Sequence, residues 1–305
     1  MLELAALVAR CYRDGVRSAA GAGWALEDIA RGHNGIVFRA CSSSDDLAAK
    51  VSQVDERGRA AREGAALELL KGIGVAPRLA GLVHEPEDIR VDVLLTGWCN
   101  GKPIDEAPPP GASAWGTIAQ AYARVHSTEP IGAKPTVLGV DPLQVVDDMR
   151  RRAERLDSSP AELIAAAERV ARAVSAPAPR SLVHCDASPR NFLVDGRGVT
   201  IVDWENSGWG DPCFDVANIV VTPQLAEYGL SEWDGLFAEH AELLGDCLLA
   251  ERTRAHARVM SAWWVVRLRQ ELAAPPARLE GVERPQNLEK LADVCEHRAA
   301  ELFSL

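Results

Sequence analysis

The sequence predicts an α+β protein in two lobes, a small β-rich N-terminal lobe (residues 1–98) and a larger, mainly helical C-terminal lobe (residues 99–305). Three observations carry this reading. Short apolar runs bounded by turn residues crowd the first hundred positions. From residue 114 onward, apolar residues recur at helical spacing in one segment after another. A single β island, 182–204, interrupts those helices.

Taken in order, "MLELAALVARCYRDG" is apolar but broken by Glu3, Arg10 and Arg13, so it reads as a helix and not as a signal peptide. Strands are expected at Leu26–Arg31 and Ile36–Ala40, which flank "GHNG", and at Leu47–Ser52 after the turn "CSSSDD". A helix is expected over Glu56–Lys71, then strands in "VAPRLAGLV" and "VDVLLTGW". The two lobes join near Thr96–Gly101, ahead of the Pro-rich surface segment "NGKPIDEAPPPG". Helical spacing follows at Ala114–His126, Pro142–Leu156, Pro160–Val174, Leu230–Leu249, Arg252–Leu272 and Leu288–Leu302.

Composition narrows the function. At 47% hydrophobic and 25% charged residues, the chain is globular and not disordered. A formal charge of −11 argues against nucleic-acid binding, which needs a basic surface. Seven cysteines are scattered without a CxxC pair, as expected for reduced thiols in a cytoplasmic protein. No stretch approaches the roughly 18 charge-free apolar residues of a membrane span.

The β island carries the chemistry. Phe192–Val194 and Val199–Trp204 surround "DGRG", a hairpin signal with its turn at Gly196–Arg197. Such a hairpin makes Asn191 and Asp203 cross-strand neighbours, and their side-chain oxygens suit a hard cation such as Mg²⁺. Taken singly, each is better read as a strand-end cap. Asp186 lies in the loop leading into the hairpin.

Together these residues form a pattern. "HCDASPRN" is similar to the kinase catalytic-loop pattern H-x-D-x-x-x-x-N, and "IVDWE" sits where kinases keep a second metal-binding aspartate. The continuation into "GDPCFDVA" resembles the aminoglycoside phosphotransferase and choline kinase superfamily, not protein kinases. The resemblance is sharp over Leu182–Val220 and weaker elsewhere. It implies a bilobal protein-kinase-like fold and transfer of the γ-phosphoryl group of ATP or GTP to a small-molecule hydroxyl. Asp186 would be the base or orienter of that hydroxyl, with Asn191 and Asp203 holding Mg²⁺. His184 is expected to brace the loop, and Asp211 and Asp215 to fix the segment after the hairpin. Glu205 stays open between reaching the metal and a structural salt link. Cys185 departs from the glycine usual in this family, which puts the loop backbone in question.

The upstream half must then supply a phosphate cation. Lys50 sits inside an apolar strand, where burial without a partner would be costly, so an anion is expected beside it. Glu63 shares a helix face with Ala60, Ala66, Leu67 and Leu70 and is the partner of choice, as in the kinase Lys–Glu pair. Gly32 and Gly35 by themselves mark only a hairpin turn, but their place before the Lys50 strand suits a reduced phosphate-covering flap, and "LLTGWCNG" is the expected hinge, with Thr96 to Trp98 and Cys99 at the base edge. His126 closes a helix and matches a structural histidine of the family, while Trp263 and Trp264 fit a helix core.

Between Arg197 and Arg252 there is no lysine or arginine but eleven acidic residues. That surplus favours a cationic acceptor, an aminoglycoside or an amino-alcohol, although ordinary surface acidity explains it equally well. The rival reading is a catalytically silent kinase-like module that binds nucleotide or a partner. Retention of Lys50, Asp186, Asn191 and Asp203 argues against it.

Overall fold

A computed structural model describes residues 1–31, 35–104, 106, 113–128, 141–158, 160–174, 181–225, 230–273 and 287–304. The turn at 32–34, including Gly32, and most of the Pro-rich segment lie outside these residues. The described chain divides into two compact units, Met1–Lys102 with Leu193–Asn206, and Pro103–Phe192 with Ser207–Leu305. The expected boundary at 98/99 thus gives way to one in which the hairpin after Phe192 belongs with the N-terminal strands.

The first unit is a six-stranded antiparallel sheet with helices. Helix α1 (Leu2–Arg13) leads into β1 (Ser18–Gly21), β2 (Trp24–Arg31), β3 (Gly35–Cys41) and β4 (Asp46–Gln53). Then come α2 (Arg59–Leu69), β5 (Leu79–His84), β6 (Val91–Gly97) and a two-residue β7 (Lys102–Pro103). The strand order is β1-β2-β3-β4-β6-β5. Alternation along the strands sorts the two faces. Phe38, Ala40, Leu47, Ala49, Val51, Val93 and Leu95 point one way and pack on Leu4, Ala5, Val8 and Ala9 of α1. The intervening residues point the other way. Register pairs Val37 with Lys50, Lys50 with Leu94, Arg39 with Ala48 and Ala48 with Thr96, so these six share the second face. Gly64 of α2 packs on that side, close to Leu82 and Leu94.

Gly35 is required by contact. A β-carbon there would sit 2.0 Å from the Val51 carbonyl oxygen, so only glycine lets β3 approach β4 at this point. The hairpin β9 (Phe192–Asp195) and β10 (Gly198–Ile201) turns at Gly196–Arg197. The Asp195 carboxylate closes the turn by accepting the N–H groups of Arg197 and Gly198 at 2.7 and 3.2 Å.

The second unit is mainly helical. Its helices are α3 (Ser113–His126), α4 (Pro142–Ala153), α5 (Ala161–Val174), α6 (Cys213–Val221), α7 (Leu230–Leu244), α8 (Leu249–Ala273) and α9 (Leu288–Ser304). Helix α8 packs against α4, α5, α6, α7 and α9, and its Val265 and Leu268 meet Leu288, Ala292, Cys295 and Ala299 of α9. The expected helix to Leu249 ends at Leu244, and Gly245 follows it with a left-handed backbone, φ 66°, that suits glycine. Strands β8 (Ser181–Val183) and β11 (Gly208–Gly210) pair antiparallel and bracket the β island. Helix α6 is buried at all nine positions, which explains why it shows no amphipathic period in the sequence.

Candidate active site

In the first unit, strand β4 delivers Lys50 to the second sheet face and α2 delivers Glu63 to meet it. The Lys50 ammonium donates to Glu63 Oε2 at 2.8 Å, to Glu205 Oε2 at 2.8 Å and to Asp203 Oδ1. The three carboxylates offer oxygens that all lie within 4.8 Å of one another. Glu63 also accepts the backbone N–H of Trp204 at 3.3 Å, tying α2 to the residues after β10. Trp204 is fully buried, and its indole N–H donates to the Ile201 carbonyl at 2.8 Å. Glu205, left open by the sequence, is therefore a buried member of the lysine's shell.

Charge makes this cluster reactive toward cations. Burial would push the Lys50 ammonium down, but Glu63, Asp203 and Glu205 outweigh it and hold the group well above the ordinary lysine value. Burial pushes the Glu63 carboxyl up, against the pull of Lys50. Three carboxylates face one ammonium, and Asp203, the most exposed of the three, offers the oxygen chemistry that suits a hard divalent cation. Asp203 holds a left-handed backbone, φ 65°, unusual for a residue with a side chain.

Along the same face, Val37, Ala48, Leu94 and Thr96 form a mostly apolar floor beside Lys50. Thr96 is buried and Trp98 half-buried at the end of β6. The Trp98 N–H donates to the Asp46 carbonyl at 3.0 Å, and the Arg39 guanidinium lies 4.6 Å from the centre of the Trp98 ring.

In the second unit, the loop between β8 and β9 carries Asp186 and Asn191. Asp186 Oδ1 accepts the N–H of Ser188 at 3.1 Å, an Asx turn that aims the carboxylate. The Asn191 amide donates to the Asp186 carbonyl at 3.3 Å. Asn191 ends a single 3-10 turn just before β9, and Asp203 lies two residues past the end of β10, so the second strand is shorter than the expected Val199–Trp204.

Asp215 holds this loop. Its Oδ2 accepts the His184 N–H at 2.7 Å and its Oδ1 the Cys185 N–H at 2.8 Å. The same carboxylate is 3.0 Å from His126 Nε2, and His126 Nδ1 is 2.9 Å from His240 Nε2. Burial pushes the Asp215 carboxyl up, but His126, His184 and the loop N–H groups hold it below its usual range. Burial and the neighbouring His126 push His240 down to about 3. Asp215 thus braces the loop before the hairpin, whereas the sequence reading had it fix the segment after. Asp211 does act there, accepting the Cys213 N–H at 3.0 Å at the start of α6 and pairing with Arg252. Cys185 sits at φ 66°, where a glycine would be relaxed. The link from His240 through His126 joins residues 114 positions apart and leaves no local sequence signal.

A family model described as the phosphotransferase enzyme family matches residues 26–246. The chain belongs to that family. Among solved structures, this phosphotransferase-family chain is similar to a choline/ethanolamine kinase family protein from Mesorhizobium loti. The TM-score is 0.70 at 20% identity, over 100% of this chain and 96% of the other. It is also similar to the aminoglycoside phosphotransferase APH(4)-Ia, TM-score 0.68 at 15% identity over 99% and 98% of the chains. Choline kinase LicA from Streptococcus pneumoniae aligns with a TM-score of 0.60 at 13% identity over 98% and 99%. These likenesses show the kinase-like fold expected from the sequence. No curated protein matches the chain by sequence.

Proposed function

We propose that the protein is an O-phosphotransferase that moves the γ-phosphoryl group of ATP or GTP to a hydroxyl of a small molecule. The observation that carries this reading is Lys50 held by Glu63, Asp203 and Glu205 at the edge of an apolar sheet face. Lys50 pairs the phosphates while Glu63 and Glu205 fix it. Asp203 is the metal ligand of the first unit, and Asn191 is the candidate oxygen donor of the second, its amide N–H being used on the Asp186 carbonyl. A bound Mg²⁺ neutralises phosphate charge. Gly35 lets backbone approach the phosphates, and Thr96 to Trp98 face the base. Asp186 accepts the acceptor's proton as its oxygen bonds to the γ-phosphorus; the bond from that phosphorus to the bridging oxygen breaks, leaving a phosphate monoester and a nucleoside diphosphate.

The acceptor is an amine-bearing alcohol under this reading. A thermostable mutant of the similar APH(4)-Ia forms a ternary complex with AMP-PNP and hygromycin B, which supports this reading. The acidic stretch supports it less than its composition suggests. Asp203 and Glu205 are committed to Lys50, Asp211 and Asp246 to Arg252, Asp215 to His126 and Asp234 to Arg254. Glu227 and the Glu232 side chain lie outside the described residues, which leaves Glu239 and Glu242 of α7 and Glu251 of α8 as the acids to test. The test is a panel of amino-alcohols, aminoglycosides and neutral polyols incubated with ATP or GTP and Mg²⁺, read by mass shift of the acceptor. Nucleotide binding without transfer to any acceptor would favour the silent module.

A further inference from the structure

Residues outside the phosphate cluster act on the same sheet face. Arg39 lies on β3, opposite Ala48 and in line with Val37, so its side chain leaves the face that also carries Lys50. Its guanidinium forms a fork on Asp46, with Nε to Oδ1 at 2.9 Å and Nη2 to Oδ2 at 2.6 Å. Held in that plane, it stacks over the Trp98 ring at 4.6 Å. Asp46 grips the same tryptophan a second way, because its backbone carbonyl accepts the Trp98 N–H at 3.0 Å. Gly97, one residue earlier, donates to the Arg78 carbonyl at 2.8 Å. The chain leaving β6 is thus fixed at its main chain and at one ring face, in the unit that carries Lys50.

We propose that Arg39 and Asp46 are positioning residues for nucleobase recognition, holding Trp98 so that the backbone from Thr96 to Cys99 presents fixed hydrogen-bonding groups to a purine edge. This rests on the nucleotide-dependent reading above. The chemistry favours the assignment over a plain surface ion pair. A lone exposed pair has no need of a stacked third partner, and the two grips converge on one residue of the segment assigned to the base. A lysine at 39 could not replace the arginine, since it has neither the fork nor the flat face.

The experiment compares binding of ATP and of inorganic tripolyphosphate, each with Mg²⁺, by calorimetry on the full chain and its R39A, R39K and D46A variants at physiological salt. Each variant is expected to weaken ATP by about three- to ten-fold. Tripolyphosphate, which has no base, should bind all four proteins within about twofold. D46A separates positioning from charge: it makes the surface less negative, so bulk electrostatics would tighten ATP, whereas lost positioning weakens it. Equal losses for ATP and tripolyphosphate, or unchanged ATP binding, would overturn the inference alone. Failure of the unaltered protein to bind ATP or GTP would overturn the nucleotide reading together with it.

Discussion

The Asp215 carboxylate accepts the backbone N–H of His184 at 2.7 Å, across 31 positions of chain. Through that bond and its twin to Cys185, a fully buried anion on α6 fixes the residues immediately before Asp186. An anion buried among N–H donors is costly to neutralise, because the donors then face no charge. Asp215→Asn should therefore lower kcat by on the order of 10²-fold and stability by about 3 kcal/mol, leaving nucleotide affinity nearly unchanged. Steady-state kinetics beside urea denaturation tests this. A variant with parental kcat would remove Asp215 from loop positioning.

Acid should weaken the fold in a window set by His240. Its folded value lies at about 3, below the 6.5 of a free histidine. The unfolded chain therefore takes a proton below pH 6.5 that the folded chain refuses, so stability is full above 6.5 and falls as pH drops toward 3. Denaturation midpoints measured from pH 7.5 to 4.5 should fall steadily. In His240→Gln the decline should be shallower. Parallel curves for the two proteins would contradict a neutral, buried His240.

Asp203 predicts an opposition between stability and activity. It adds a third carboxylate to a site with one ammonium, and it holds a left-handed backbone that asparagine tolerates well. Asp203→Asn should raise stability by about 0.5–2 kcal/mol while greatly lowering turnover and raising the Mg²⁺ needed for it. Thermal melts without nucleotide, set beside Mg²⁺ titrations of activity, read both effects. A destabilised variant would show that the carboxylates do not repel one another.

Gly35 gives a purely steric prediction. Gly35→Ala places a methyl group against the Val51 carbonyl and should cost about 1–3 kcal/mol through displacement of β3 from β4. Urea midpoints test it, and an unchanged midpoint would mean the strands can separate freely.

Much of this was legible in the sequence, for physical reasons that differ by element. Strands β2 to β6 are bounded by turn residues, and the "DGRG" turn announced its hairpin. Glu63 was legible because helical spacing puts it on the core face of α2. Helix α6 was not, because a segment buried on every side has no period to detect. The histidine partner of Asp215 was hidden for another reason: His126, itself bonded to His240, meets it only after three helices pack, and no local spacing encodes that. Arg39 and Trp98 likewise meet through strand register between distant positions.

Under the proposed function, Asp186 is the residue on which transfer to a hydroxyl would depend most directly. Once an acceptor is found by mass shift, the decisive measurement is kcat and ATP affinity for Asp186→Asn with that acceptor. The expected result is a kcat lowered by on the order of 10²–10⁴ with ATP binding within about twofold of the parent, since the proton is accepted only as the new bond forms. A variant that keeps more than about half of the parental kcat would contradict the account.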